Sequence, residues 1–278
     1  MIFDPRPCEL GEGPLWHPIR KELFWFDILN RTLHSRSKSW TFPEFVSAAG
    51  WISRDELMMA CETGLLRFDL STGARDMLVH VGTPATRSND GRADRQGGFW
   101  FGTMGKRAEP GLGAIWRWHR GDLRRLFAGL TIPNAICFTP DGRAAHFTDT
   151  VTGQVMKVAL DAEGWPSGAP EVWLDLKPEG LNPDGAVIDA EGIFWNAQWG
   201  AGRVAAYAPD GRFLRAVDIP DAPQTSCPAF GGPDYTTLHV TTAYEHMDAA
   251  TRDKHPASGQ VFAFDGVAKG LPEPQVIL

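Results

Sequence analysis

The feature that most narrows the possible folds is a pattern that recurs along the whole chain. Four copies are clear: EGPLWHPIRKELFWFDI from Glu12, NDGRADRQGGFWFGTM from Asn89, NAICFTPDGRAAHFTDT from Asn134 and DGAVIDAEGIFWNAQW from Asp184. Each opens on a side chain bearing an oxygen, passes through a short apolar stretch and a turn, and ends in an aromatic strand. Two fainter copies, AGWISRDELMMACETG from Ala49 and SCPAFGGPDYTTLHVTTA from Ser226, complete six units that start at 12, 49, 89, 134, 184 and 226. Units of about 40 to 50 residues that read as several short strands are the signature of a β-propeller. We therefore expect an all-β, six-bladed propeller with a central channel, occupying residues 1–278 as a single domain.

Composition agrees. With 30 Gly, 21 Pro and 11 Trp in 278 residues, turns punctuate the chain too often for long helices. The remaining strands, among them GLLRFDL, QVMKVAL and QVFAFDG, mostly alternate apolar and polar residues as half-buried strands do. A formal charge of −7 without any run of Lys or Arg argues against a nucleic-acid partner. The N-terminus lacks the features of a secretion signal and no apolar run is long enough to span a bilayer, so a cytoplasmic protein without membrane contact is expected. Cys8, Cys61, Cys137 and Cys227 form no C-x-x-C pair and are expected to be reduced, buried thiols.

The repeat gives Asp184 a second reading. Asp-Gly is a common turn dipeptide, and NPDG alone suggests only a bend with Gly185 relaxing the backbone. In a propeller, however, matching residues at the start of each innermost strand face one another around one channel mouth. Glu12, Asn89, Asn134 and Asp184 would then crowd together, and buried carboxylates need a partner. A hard divalent cation suits a ligand set made of oxygen alone: calcium first, with magnesium, manganese, iron or zinc as alternatives.

The segments LGEGPLW, RSNDGRADRQGGFWFGTM, IPNAICFTPDG, NPDGAVIDAEGIFWNAQW and CPAFGGPDYTTLHVTTA resemble the family of senescence marker protein 30 (SMP-30), gluconolactonase and luciferin-regenerating enzyme, in order and over nearly the whole chain. The resemblance implies a metal held by Glu12, Asn134 and Asp184, with Asp184 also the catalytic acid/base. It assigns substrate contacts to Arg87 and Asn89, and an alternative for Arg87 is a pair with Asp90. The implied activity is metal-dependent hydrolysis of a sugar lactone to its aldonic acid. Where some members carry acidic residues after G-T-M, this chain has Lys106 and Arg107. Arg107 is a further candidate substrate contact, or both residues belong to a solvated loop. A phosphotriesterase-like hydrolase on the same metal site and a non-catalytic, metal-binding regulatory propeller are the competing readings. The oligomeric state is not legible.

Overall fold

A computed structural model describes residues 1–278. Its strands form six four-stranded antiparallel sheets, five of them running in chain order from the innermost strand outward. The innermost strands are Gly11–His17, Val46–Trp51, Thr86–Ala93, Pro133–Phe138, Asn182–Ile188 and Thr225–Gly231. Each packs against its successor, and the last packs against the first, so the sheets close into a ring. This is the expected six-bladed β-propeller. Its sixth blade has an origin that the sequence pattern does not reveal: the outermost strand is Ile2–Asp4, paired antiparallel with Val261–Phe264. The chain's start is thus stitched onto its last blade, joining residues far apart in sequence.

The aromatic second strands explain the packing. In Glu22–Asp27, Phe24 and Phe26 enter one apolar cluster with Leu57 and Met59, while Leu23 and Trp25 enter another with Cys8 and Trp16. Phe99 and Phe101 likewise face the second blade, whereas Trp100 faces the fourth. Successive side chains alternate between faces, and both faces of a blade are covered by neighbouring blades. The inner strands are therefore buried on both sides. Half-exposed strands are confined to the rim, as in Arg75–His80, where all residues but one are exposed.

The repeated turns have a defined role. Asp94 Oδ1 accepts the backbone N–H groups of Gln96 and Gly98 at 3.0 and 2.8 Å, and its Oδ2 accepts the Trp100 indole at 3.1 Å. Asp189 repeats this arrangement with Glu191, Ile193 and Trp195 at 2.9 Å each. One carboxylate thereby closes the turn between the first two strands and anchors the core aromatic of the second. All four cysteines are free and buried. No helix is long and apolar enough to cross a membrane.

Candidate active site

The first strand of every blade breaks register with its neighbour near its start. The irregularities fall between Glu12 and Leu15, Val46 and Ala48, Ser88 and Gly91, Asn134 and Cys137, Pro183 and Ala186, and Thr225 and Cys227. A bulge re-aims side chains, and here it recurs around one end of the channel. Asp184 thus lies inside a strand, not in a turn. In the second blade the interrupted position is Ser47; Ala49 pairs regularly with Met59 and sits in the core. The expected equivalence of Ala49 is corrected accordingly. Ser47 donates to Ser88 Oγ at 2.8 Å and takes no part in the mouth cavity.

Glycines permit this crowding in two ways. Gly13 has φ of 53°, and a Cβ there would lie 2.3 Å from the Ser47 carbonyl oxygen. Gly185 has no such backbone requirement; a Cβ would meet Cys227 Sγ at 2.4 Å. The glycine after Asp184 is needed for close approach between blades and not, as the dipeptide suggests, to relax a turn.

The bulges bring Glu12, Arg87, Asn89, Asn134 and Asp184 to one cavity of about 420 Å³. All five are buried. An oriented chain of hydrogen bonds runs around its wall. Arg87 Nη1 donates to Asn89 Oδ1 at 2.8 Å; Asn89 Nδ2 donates to Asn134 Oδ1 at 2.8 Å. Asn134 Nδ2 donates to Thr150 Oγ1 at 2.9 Å, and that hydroxyl donates to the Pro183 carbonyl at 2.8 Å. The chain therefore links the third, fourth and fifth blades and ends beside Asp184. Asn196 holds the bulge itself, donating to the carbonyl oxygens of Asp184 and Gly185 at 3.0 and 3.1 Å.

The two carboxylates stand apart from this network. Neither Glu12 nor Asp184 forms an ion pair. Burial pushes Glu12 up to about 8, with the charge of Asp90 adding to the effect and the Gly13 N–H and Arg87 opposing it. Burial also raises Asp184 well above the usual carboxylate range, reinforced by Glu12 and Asp90. Two buried acids that raise each other's proton affinity, flanked by carboxamide oxygens, fit a divalent cation as their common partner. No group of three or more His, Cys, Asp or Glu side chains gathers as a metal site anywhere in the chain, so a cation at the mouth would draw on carboxamide oxygens as well as Glu12 and Asp184.

Asp90 is not the partner of Arg87. Its two oxygens accept the backbone N–H groups of Gly91 at 2.8 Å and Ile136 at 2.7 Å. The second bond satisfies a donor freed by the bulge after Asn134, where Ala135 has φ of 55°. Asp90 thereby fixes the backbone that presents Asn134. Sequence reasoning missed this role, together with those of Thr150 and Asn196. Asn196 is a polar residue within the aromatic strand FWNAQW, and that was the available signal. Lys106 and Arg107, both exposed, stand at the cavity rim. Trp199, at the end of the fifth repeat, also lines the cavity, as do Glu245 and His246 from a segment outside the repeated motif.

The family model described as SMP-30/Gluconolactonase/LRE-like region matches residues 10–244. The chain belongs to this family. It is 31% identical to a 6-deoxy-6-sulfogluconolactonase of Pseudomonas putida, over 97% of this chain and 95% of that one. With a pentonolactonase of Haloferax volcanii it shares 34% identity over 96% and 94% of the two chains. A solved structure of a calcium-binding protein, regucalcin, from Agrobacterium tumefaciens superposes with a TM-score of 0.97 at 40% identity, covering 100% of this chain and 97% of that one. The two relatives named as lactonases thus match this chain over nearly its whole length, and the regucalcin structure shares its ring of blades.

Proposed function

We propose that this protein is a metal-dependent lactonase that opens a sugar lactone to its aldonic acid at the channel mouth. The observation that carries the reading is the pairing of Glu12 and Asp184, buried without a cationic partner, on the wall of an open cavity beside Asn134. Relatives named as lactonases, nearly full-length matches, point to the same reaction class. Glu12, Asn134 and Asp184 would hold a divalent cation, calcium foremost given the calcium-binding relative. Such a cation, when bound, stabilises negative charge developing on a carbonyl oxygen.

The chain's own residues would supply the rest. Asp184 Oδ takes the proton of the attacking water and returns it to the ring oxygen as the lactone C–O bond breaks. Asn134 is fixed on both ends of its amide by Asn89 and Thr150, so its oxygen keeps one orientation toward the mouth. Arg87 and Asn89 contact the substrate and so keep its carbonyl aligned. Leu10, Ile132 and Trp199 form an apolar part of the wall and limit water around the reacting carbon.

The test is proton release from pentono- and hexonolactones in weak buffer, compared with their spontaneous opening. Opening above background, abolished by chelator and restored by a divalent ion, is expected. Full activity in metal-free protein would remove the cation from the scheme. Cation binding without turnover of any lactone would favour a regulatory propeller, and cleavage of a phosphotriester alone would favour the phosphotriesterase alternative.

A further inference from the structure

The charges around the cavity are segregated by blade. Arg87 comes from the third blade, and so do Lys106 and Arg107, which follow the strand Phe99–Gly105. Glu12, Asp184 and Glu245 come from the first, fifth and sixth blades or the segment after them. In a six-bladed ring the third blade stands opposite the sixth, with the first and fifth on either side of the latter. A substrate whose carbonyl lies between Glu12 and Asp184, on the sixth-blade side, therefore presents its far end to the third blade.

The charged groups of that wall are donors only, and Asn89 beside them spends its amide on Arg87, Pro133 and Asn134. Arg87 is 6% exposed, its Nη1 serves Ser88 and Asn89, and its buried Nε has no partner. It forms no ion pair with any carboxylate. The two rim cations are braced from behind. Lys106 Nζ bonds Glu62, its backbone N–H donates to Ala85 at 2.9 Å, and Glu109 accepts the Arg107 backbone N–H and Nε at 3.0 and 3.1 Å. Glu62 and Glu109 do not line the cavity. The bracing uses Nε of Arg107 and leaves its two terminal nitrogens unbonded, on a side chain that is 88% exposed.

A sugar hydroxyl both donates and accepts, whereas guanidinium and ammonium groups can only donate; an acceptor-only group is their full complement. We infer that the lactone opened here carries a second, anionic group, a carboxylate or phosphate, at the end remote from the lactone carbonyl, held by Arg87, Lys106 and Arg107. This rests on the lactonase reading above. With Glu12 and Asp184 occupied by a cation, Glu245 is the one lining carboxylate left; Lys106 and Arg107 already pair with carboxylates outside the cavity, and Arg87 is the buried positive charge without an ion pair for an anion to answer.

The experiment compares kcat/KM for a neutral hexonolactone, an aldarolactone and a 6-phosphohexonolactone, each corrected for spontaneous opening. At least a tenfold preference for one charged lactone over the neutral one is expected, and the two charged arms show which anion fits. Raising salt from 50 to 500 mM should erode that preference several-fold. Arg107→Glu and Lys106→Ala should lower kcat/KM for the preferred charged lactone at least tenfold more than for the neutral one, with Arg107→Lys retaining most of it. Efficient opening of the neutral lactone with no preference for either charged one would overturn this inference and leave the lactonase reading intact. Failure to open all three would overturn both.

Discussion

At the floor of the channel a buried acid meets a buried base. Glu273 and Arg92, 9% and 8% exposed, are ion-paired, and the Glu273 carbonyl accepts the Trp51 indole at 2.8 Å. The last residues of the chain lie across this end, with Val276 bonded to Trp51 and Ile277 to Gly97, each at 2.9 Å. At the mouth Glu12 and Asp184 are buried as deeply, at 5% each, yet meet no cationic side chain. The floor completes its own charge and is closed. The mouth leaves its charge incomplete beside an open cavity. A folded chain can sustain unmatched buried carboxylates only at a cost, and the difference marks the mouth as the end built around something the polypeptide does not itself supply.

The sharpest way to break this contrast is to neutralise one acid at each end. Asp184→Asn should lower lactone turnover by about a thousandfold, roughly 4 kcal/mol of transition-state stabilisation. The melting temperature of the cation-free protein should hold or rise, because one of two mutually repelling buried charges is gone. Glu273→Ala should do the reverse. It strands the Arg92 guanidinium in the channel and should cost about 3–5 kcal/mol of stability. The kcat/KM of the folded enzyme should stay within a factor of two. Calorimetry and kinetics on the two variants check both, and a fall in stability for Asp184→Asn matching that for Glu273→Ala would erase the distinction.

The repeat made the mouth legible because a bulge is a local event. Glu12, Asn89, Asn134 and Asp184 each sit at the same point in their own unit, and that regularity survives in the sequence. The second blade was misread because AAG follows Ser47 without the usual turn, and a short hydroxyl side chain is inconspicuous there. The floor was not legible: LPEPQVIL looks like a loop, and Glu273 pairs with a residue 181 positions away. The stitching of Ile2–Asp4 onto Val261–Phe264 is hidden for the same reason. Nor could sequence show that Asp90 holds a backbone N–H across a blade boundary, since that bond depends on how two bulges meet.

Acid should separate both ends from the walls between them. His146 and His239 lie between blades, and burial lowers them to about 3 and about 4. Neither ring nitrogen of His146 has a partner. Between the ordinary value near 6.5 and these folded values, the unfolded chain binds more protons, so stability is full above about pH 6.5 and is lost as pH falls. Each should cost on the order of 2 kcal/mol between pH 7 and pH 5. Melting curves of His146→Leu should show this loss smaller by about 2 kcal/mol than in the unaltered protein. The smallest effect belongs to the oriented network: Thr150→Val removes the acceptor of Asn134 Nδ2 and should cost about 1–2 kcal/mol. It should be read mostly as weaker cation binding, with melting of the cation-free protein little changed.

Titration calorimetry of calcium, and then of other divalent ions, into chelator-treated protein tests the central claim most directly. The account predicts one ion bound per chain, at least a hundredfold weaker binding in Glu12→Gln and Asp184→Asn, and unaltered binding in Arg95→Ala, a change at the floor, where Arg95 Nη1 donates to the Pro272 carbonyl at 3.1 Å. Absence of binding to the unaltered protein by any divalent ion, or binding that both mouth variants leave intact, would contradict it.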